Sequence, residues 1–431
     1  MGIRRHTRPP SPPGRLASGV SLSGIGLVLL THVGYPLAAH TVARAARRGR
    51  GHATDASGSV DRQPTVTVLI PAYNEGRFIA QKIRDTAALD YPADRLEVLV
   101  VDDGSSDGTA EKAMSVPHPC MRVVTVSARG GKSAAINRGM QEARGDIVVL
   151  TDANGSLDPG SVRAIVRSFD RPEVAVVSGR KLPVGDGAHG AGESLYWRFE
   201  SALKDAEGII GRVVGADGGI FAVRREHFRP IPAGVFADDY WIPIDALSRG
   251  LLVRQANDAA VYERTSTSKR DDFERRQRIA AGIWQVSLGN LGLLHPRHGW
   301  TAVAFGGHRV LRSIVVPPLL PVILLSSAQA ARHHRLGRWL LVPQLAAYTA
   351  ATVGAVSNNR GCAAPYQFAM TNAAALGGAY RHVRRRQSGL WKRTERGDWH
   401  PAATAGGRGP SAAEPLAAAA STTSDVQPVA P

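Results

Sequence analysis

Cysteine is nearly missing from this chain of 431 residues: the only two, Cys120 and Cys362, are far apart and lie in unlike segments. That spacing excludes a disulfide framework and a Cys-based metal site. Zinc-type histidine pairs are missing too. The 14 histidines are scattered or sit beside Arg in loops, as in His333-His334, and read as surface residues. The formal net charge is +17, carried mostly by arginine, a balance that suits nucleic acid, anionic lipid or a phosphate-bearing ligand. No arginine-rich recognition helix, zinc finger or RNA-binding signature accompanies it, so no nucleic-acid partner is expected. The glycine-rich first loop of nucleotidyltransferases and the phosphate loop of NTPases are absent as well.

What is present is segregated. A mean hydropathy of -0.13 hides several apolar runs without Asp, Glu, Lys or Arg. Residues 1–15 are rich in Pro and Arg and read as a disordered N-terminus. From Leu16 to Ala43 no charged residue occurs, and the run closes on Arg44, Arg47, Arg48 and Arg50. That is enough for the roughly 20 residues that cross a bilayer; a cleaved signal peptide, the competing reading, has a shorter apolar core. After a linker at 51–63, residues 62–272 form the central domain and 273–300 an amphipathic, interfacial region. Segments 309–331 and 339–357 have transmembrane length, with Pro317, Pro318 and Pro321 kinking the first. Segment 361–380 carries Gln367, Thr371 and Asn372 and is either transmembrane, interfacial or a buried helix. Residues 401–431 read as a disordered tail.

Loop charges favour three crossings. If 361–380 stays in the interface, the central domain's side collects Arg44, Arg47, Arg48, Arg50, Arg297, Arg309, Arg312, Arg360 and the basic 381–396 segment. The other side keeps the N-terminal arginines with Arg332, Arg335 and Arg338. The positive-inside bias then puts the central domain in the cytoplasm of a multi-pass cell-membrane protein.

Within the central domain, short β-rich runs alternate with helical stretches. The runs are Val66–Ile70, Leu96–Val101, Met121–Val126, Asp146–Leu150 and Val174–Gly179; the helices fall near 77–89, 108–115, 133–144 and 159–169. Continuous apolar strands alternating with helices predict an α/β fold with a mostly parallel, doubly covered sheet. Ligands bind at the carboxyl ends of such strands, and the polar motifs fall there. Pro71–Glu75 (PAYNE) ends the first strand. Asp102 and Asp103 end the second, where two adjacent carboxylates repel unless a ligand or cation relieves them; Asp107 alternatively makes an Asx turn before the next helix. Gly130-Gly131-Lys132 opens a helix as anion-binding material. Asp152 and Asn154 end the fourth strand as two oxygen ligands able to share Mg²⁺ or Mn²⁺. Asp238-Asp239 either carry chemistry or begin the helix at Tyr240–Arg249 as favourable N-terminal acids.

Taken in this order, PAYNE at 71–75, VVDDGSSD at 100–107, GGKSAAIN at 130–137, TDAN at 151–154, GADGGIFAVRRE at 215–226 and ADDYWIPIDALSRG at 237–250 resemble family 2 glycosyltransferases of the GT-A fold. RRQRIAAGIWQ at 275–285 and LLHPRHGW at 293–300 extend the likeness to the membrane-bound polysaccharide-synthase-like branch, which includes poly-N-acetylglucosamine, hyaluronan and cellulose synthases. The resemblance implies a GT-A (Rossmann-like) catalytic domain flanked by transmembrane helices. It implies a nucleotide-sugar donor, with UDP the default, and a lipid-linked or polysaccharide acceptor at the membrane. Ala72, Tyr73 and Glu75 would line the nucleotide pocket, Asp103 would contact base or ribose, and Lys132 and Arg278 would lie near the donor. Asp152, with Asn154, would hold the metal, and Asp239, next to Asp238, would be the base of an inverting displacement.

Two departures stand out. The family's processive members carry Gln-x-x-Arg-Trp where this chain has Arg275-Arg276-Gln277-Arg278-Ile279, so only Arg278 matches. Asn154 stands where many relatives have a second Asp. The first departure favours single or limited addition and the membrane segments favour a synthase. Together they are the only support for a rival reading, a catalytically inactive, membrane-bound sugar-nucleotide sensor or scaffold.

Overall fold

The computed structural model describes residues 12–49, 63–184, 188–264, 269–357 and 359–384. The expected linker at 51–63, apart from Gln63, lies outside the described residues, as do the basic stretch beyond 384 and the tail at 401–431. So do residues 1–11 of the expected disordered N-terminus; Pro12 to Arg15, by contrast, are helical.

An eight-stranded sheet forms the centre, in the order β3-β2-β1-β4-β7-β6-β8-β5. The expected alternation is present: β1 (Val66–Ala72), α3 (Ile79–Ala87), β2 (Leu96–Asp102), α4 (Thr109–Met114), β3 (Met121–Thr125), α5 (Lys132–Glu142), β4 (Ile147–Thr151), β5 (Ser156–Leu157), α6 (Ser161–Arg167) and β6 (Val174–Val184). The same domain continues through α7 (Ala188–Ile210), β7 (Ile220–Arg224), α8 (Asp238–Ser248) and β8 (Leu252–Arg264). Strand β1 is buried at all seven residues, which is why it reads as an unbroken apolar run. Strands β1, β2, β3 and β4 pair in parallel, as do β6 and β8; β7 runs antiparallel between β4 and β6. The sheet is therefore mostly parallel, as expected. Strands β5, β7 and β8 were not anticipated: β5 has only two residues and β8 mixes Arg, Gln, Asn and Asp into its run, whereas β7 (IFAVR) is apolar but short.

Around the domain lie α1 (Pro12–Leu29) and α2 (Tyr35–Gly49), then α9 (Lys269–Gly289), α10 (Trp300–Ala304), α11 (Val316–Ala331), α12 (Arg335–Val356) and α13 (Ala363–Val383). Among the described residues, three continuous helices are long and apolar enough to cross a membrane: Gly14–Arg48, Trp300–Ala331 and Arg335–Val356. The first two pass through π-helical segments, Leu30–Gly34 and Phe305–Val315. Beyond these segments each helix belongs to the sheet domain. Tyr35, Ala39 and Ala43 pack on Leu203 and Ala206 of α7, and Ala304 and Phe305 join the main core. The free parts, α1, α11 and α12, have 18, 16 and 22 residues, or about 24–33 Å at 1.5 Å per residue, close to hydrocarbon thickness. Segment 361–380 is not among the three. As α13 it lies along α9, and at Gly378 a Cβ would meet that of Ala280 at 2.6 Å.

A buried polar cluster joins membrane helices and domain, and it corrects the reading of every histidine as a surface residue. His308 has no exposed side-chain area. Its Nδ1 lies 2.8 Å from Glu207 Oε1 and its Nε2 2.9 Å from Glu200 Oε1. The Tyr35 hydroxyl donates to Glu207 (2.5 Å), and Arg312 donates to Glu200 (2.8 Å). Burial alone would raise the Glu200 pKa, but His308 and Arg312 outweigh it and hold the carboxyl well below the usual range.

Candidate active site

Hydrogen bonds between loops explain how the strand ends are drawn together. After β1 the chain turns at Asn74, whose φ is 54°, a left-handed conformation that asparagine tolerates better than most residues. Its N–H donates to Ser105 Oγ (2.9 Å), and its Oδ1 accepts from the Ser106 N–H (2.9 Å). Asp107 accepts from the N–H groups of Gly76 (3.0 Å) and Thr109 (3.2 Å), which is the Asx turn anticipated for it.

Asp102 and Asp103 avoid mutual repulsion by turning to different donors. Asp102 accepts from Ser105, and Asp103 accepts from the N–H groups of Gly130 (2.9 Å) and Gly131 (2.7 Å). At 1% exposure, Asp103 is committed to anchoring the glycine loop, and it does not line the site cavity where a base or ribose contact was expected. Ala72 is buried within β1, and Tyr73 carries the Arg129 guanidinium 3.7 Å from its ring centroid. Neither of these two lines the cavity.

The other expected residues do come together. Glu75, Lys132, Asp152, Asn154, Asp238, Asp239 and Arg278 line one cavity of about 730 Å³. Gly131, at φ 88°, launches α5 so that its first residue, Lys132, bridges two carboxylates. Its Nζ lies 2.9 Å from Asp152 Oδ1 and 3.3 Å from Asp238 Oδ2. Burial would lower the pKa of this ammonium, but Asp152, Asp238 and Asp239 outweigh burial and raise it. The amine stays a fixed positive charge among the acids.

Asp238 and Asp239 form the first turn of α8, whose N-cap, Ala237, receives no side-chain capping bond. The N-terminal placement expected of two acids is thus present, and the same two carboxylates also face the cavity. The segment before them is tied to α5: Ser133 Oγ donates to the Val235 carbonyl (2.6 Å), and Asn137 exchanges hydrogen bonds with Ile231 (2.9 and 2.8 Å). Gln285 of α9 donates to the Gly234 carbonyl (2.9 Å). On the opposite side the Ala216 N–H donates to the Asp239 carbonyl (2.8 Å), and Gly218 abuts the carboxylate. A Cβ there would sit 2.8 Å from Asp239 Oδ2. Burial first, then the neighbouring Asp238 charge, pushes the Asp239 carboxyl up to about 6, against the pull of Lys132. Burial raises the Asp238 carboxyl too.

A lysine that the sequence did not single out supports the Asp152 loop from beneath. Lys82 is 2% exposed, and its Nζ donates to Thr151 Oγ1 (2.8 Å) and to the Gly155 carbonyl (2.7 Å). Thr151 Oγ1 donates onward to the Gly219 carbonyl (2.8 Å), which links this loop to the glycines beside Asp239. Burial pushes the Lys82 amine down to about 8, with Asp152 opposing. The signal was a lysine within the buried stripe Ile79, Ile83 and Thr86 of α3. Also missed were Lys204 and Asp217, paired at 2.7 Å with both side chains buried; Lys181 and Glu263, likewise paired, line the cavity.

Whether a divalent cation fits can be judged from the donors. Among the described residues no three His, Cys, Asp or Glu side chains form a ready cage. Asn154 Oδ1, however, is buried without a hydrogen-bond partner, two residues from the Asp152 carboxylate in the same cavity. Hard oxygen donors with spare capacity suit Mg²⁺ or Mn²⁺.

Residues 67–231 match the family model described as "Glycosyl transferase family 2". A probable glycosyltransferase of Bacillus subtilis is 37% identical over 241 residues, 52% of this chain and 56% of that protein. A beta-monoglucosyldiacylglycerol synthase of Synechocystis is 34% identical over 122 residues, 27% of this chain and 26% of that one. The chain thus matches about half or less of the length of these curated relatives. The solved structure of a mannosyltransferase of Pyrobaculum calidifontis, in complex with GDP-Man and Mn²⁺, aligns with a TM-score of 0.66 at 24% identity. That alignment covers 86% of this chain and 100% of that one, and it shows that the fold is shared.

Proposed function

We propose, from the premise that residues 67–231 belong to glycosyl transferase family 2, that this chain transfers a sugar from a nucleotide-sugar donor to a membrane-associated glycan or lipid-linked acceptor. One observation carries this reading: Lys132, Asp152, Asp238 and Asp239 converge in a single cavity at the strand ends. The acceptor hydroxyl gives its proton to Asp239 while its oxygen attacks the anomeric carbon. The bond to the diphosphate breaks on the opposite face, so the anomeric configuration inverts. Asp239 is basic enough to accept the proton and stays ionised near neutral pH. Lys132 keeps a positive charge against the carboxylates and the arriving diphosphate, and Arg278 faces the same cavity. Asp152 and Asn154 would hold Mg²⁺ or Mn²⁺, which when bound stabilises charge on the departing diphosphate.

The membrane reading rests on the three apolar helices among the described residues, and the arginine balance supports a cytoplasmic sheet domain. Membranes carrying wild type, Asp152→Ala or Asp239→Asn, given UDP- and GDP-sugars with Mg²⁺ or Mn²⁺, test the chemistry through released nucleotide. Metal-dependent release with one donor, lost in both variants, is the expected result. Donor binding without release from wild type would sink the transferase reading in favour of a sensor.

A further inference from the structure

The cavity continues past Asp239 beneath α13, where it meets His32, Ser313, Phe368, Thr371, Asn372 and Ala375. His32 lies in the first π-helical segment and Ser313 in the second. The other four are spaced by three, one and three residues and so share one face of α13. This half of the chamber is thus built where the membrane helices leave the sheet domain. Its lining stops there: among the described residues, none from α1, α11 or α12 takes part.

Those three helices pack on one another instead. The hydroxyls of Ser21 and Ser326 meet at 2.9 Å, Ser327 Oγ lies 3.0 Å from Ser21 Oγ, and Gln344 donates to Ser327 (2.8 Å). A glycan drawn across a bilayer of about 30 Å would need walls along that whole depth. The chamber instead stops at the base of the bundle.

The chemistry of its wall is that of a neutral head group. The six side chains are uncharged hydroxyl, amide, aromatic and methyl groups, with one imidazole. Charged side chains line the same cavity, but these have acidic partners: Arg309 and Arg312 engage Glu200 (3.6 and 2.8 Å), and Arg275 and Arg276 engage Asp272 (2.8 and 2.9 Å). Thr371 Oγ1 is buried and has no hydrogen-bond partner, the condition that a hydroxylated ligand relieves. Phe199 and Phe368, 37% and 38% exposed, give the chamber apolar edges. We infer that the acceptor is a single membrane lipid with an uncharged, hydroxyl-bearing head, which receives one sugar in this chamber. This rests on the transferase reading above: the lipid hydroxyl loses its proton to Asp239, its oxygen bonds to the anomeric carbon, and the nucleoside diphosphate leaves.

The test uses the full chain in phosphatidylglycerol–phosphatidylethanolamine vesicles, with and without diacylglycerol or monohexosyldiacylglycerol, and a radiolabelled donor. The expected product is an organic-phase lipid one hexose heavier by mass. Ala375→Trp, which fills the chamber, lowers lipid transfer by at least about tenfold. The near-isosteric Thr371→Val raises the KM for lipid roughly fivefold, as loss of one hydrogen bond does, with kcat kept. Both variants bind donor within about twofold of wild type in a nucleotide-displacement assay, which also reports that they fold. Label in water-soluble chains that lengthen with time overturns the lipid inference and leaves the transferase reading standing. Label only on phosphatidylglycerol overturns the neutral head, and unchanged transfer by Ala375→Trp overturns the chamber. A wild type that binds donor yet releases no nucleotide in any vesicle removes both readings.

Discussion

Deprotonating an acceptor hydroxyl takes a carboxylate that is ionised at working pH yet basic enough to accept a proton. Asp239 meets both demands because burial and Asp238 raise it to about 6. The sign follows directly: below that pH Asp239 is protonated and transfer falls, above it the base is free. A pH–rate profile is expected to show an acidic limb near 6. In Asp238→Asn, where one repelling charge is gone, the limb moves to lower pH. Asp239→Asn removes the base and lowers kcat by about 10²–10⁴-fold, the range general-base catalysis supplies, with donor affinity retained. Gly218→Ala places a methyl against the same carboxylate, and steady-state kinetics should show kcat falling more than donor KM rises.

At the scale of elements, the catalytic loops are positioned by side chains from helices behind the sheet. Lys82 is the clearest case, since its ammonium spans the Thr151 hydroxyl and the Gly155 carbonyl around Asp152 and Asn154. Lys82→Met keeps much of the volume and leaves those acceptors unpaired in the interior, at a cost of about 1–3 kcal/mol each. Two readouts check this: a lower unfolding midpoint, and weaker Mn²⁺ binding by paramagnetic resonance of the free ion. Unchanged Mn²⁺ affinity would confine Lys82 to stability. Arg275, Arg278, Gly282 and Gln285 recur at intervals of three and four along α9, which puts them on one face. Arg275 and Arg278 line the cavity, Gly282 abuts Ala237, and Gln285 holds Gly234. What α9 packs against, α13, was not legible, because an apolar segment with Gln, Asn and Gly reads equally as span, interface or core.

Across the described molecule, the candidate spans and the sheet domain form a shared interior. Tyr35 and His308 come from two of the candidate spans, and both engage Glu207 of α7. His308→Leu leaves Glu200 and Glu207 without the imidazole between them. Leaving buried polar groups without a hydrogen-bond partner is expected to destabilise by about 1–3 kcal/mol each, checked by denaturation of the full chain in detergent micelles. Double substitution with Glu207→Gln should recover part of the loss, since one uncompensated carboxylate is then gone.

The α/β alternation, the apolar segments and the strand-end motifs were readable along the chain, because each is set by local periodicity or by neighbours within a few residues. The pairings of distant residues were not. Asp103 was read as a ligand contact, and its hold on the Gly130–Gly131 loop was not foreseen. Lys82 was not singled out, and His308 was grouped with exposed histidines. A side chain's role depends on which donors and acceptors lie within about 3 Å in space, and sequence spacing does not determine that once the chain has folded back on itself. Sequence thus identified the parts of a GT-A fold. The tertiary structure alone brought Lys132 between Asp152 and Asp238, and carried their cavity on to the membrane helices.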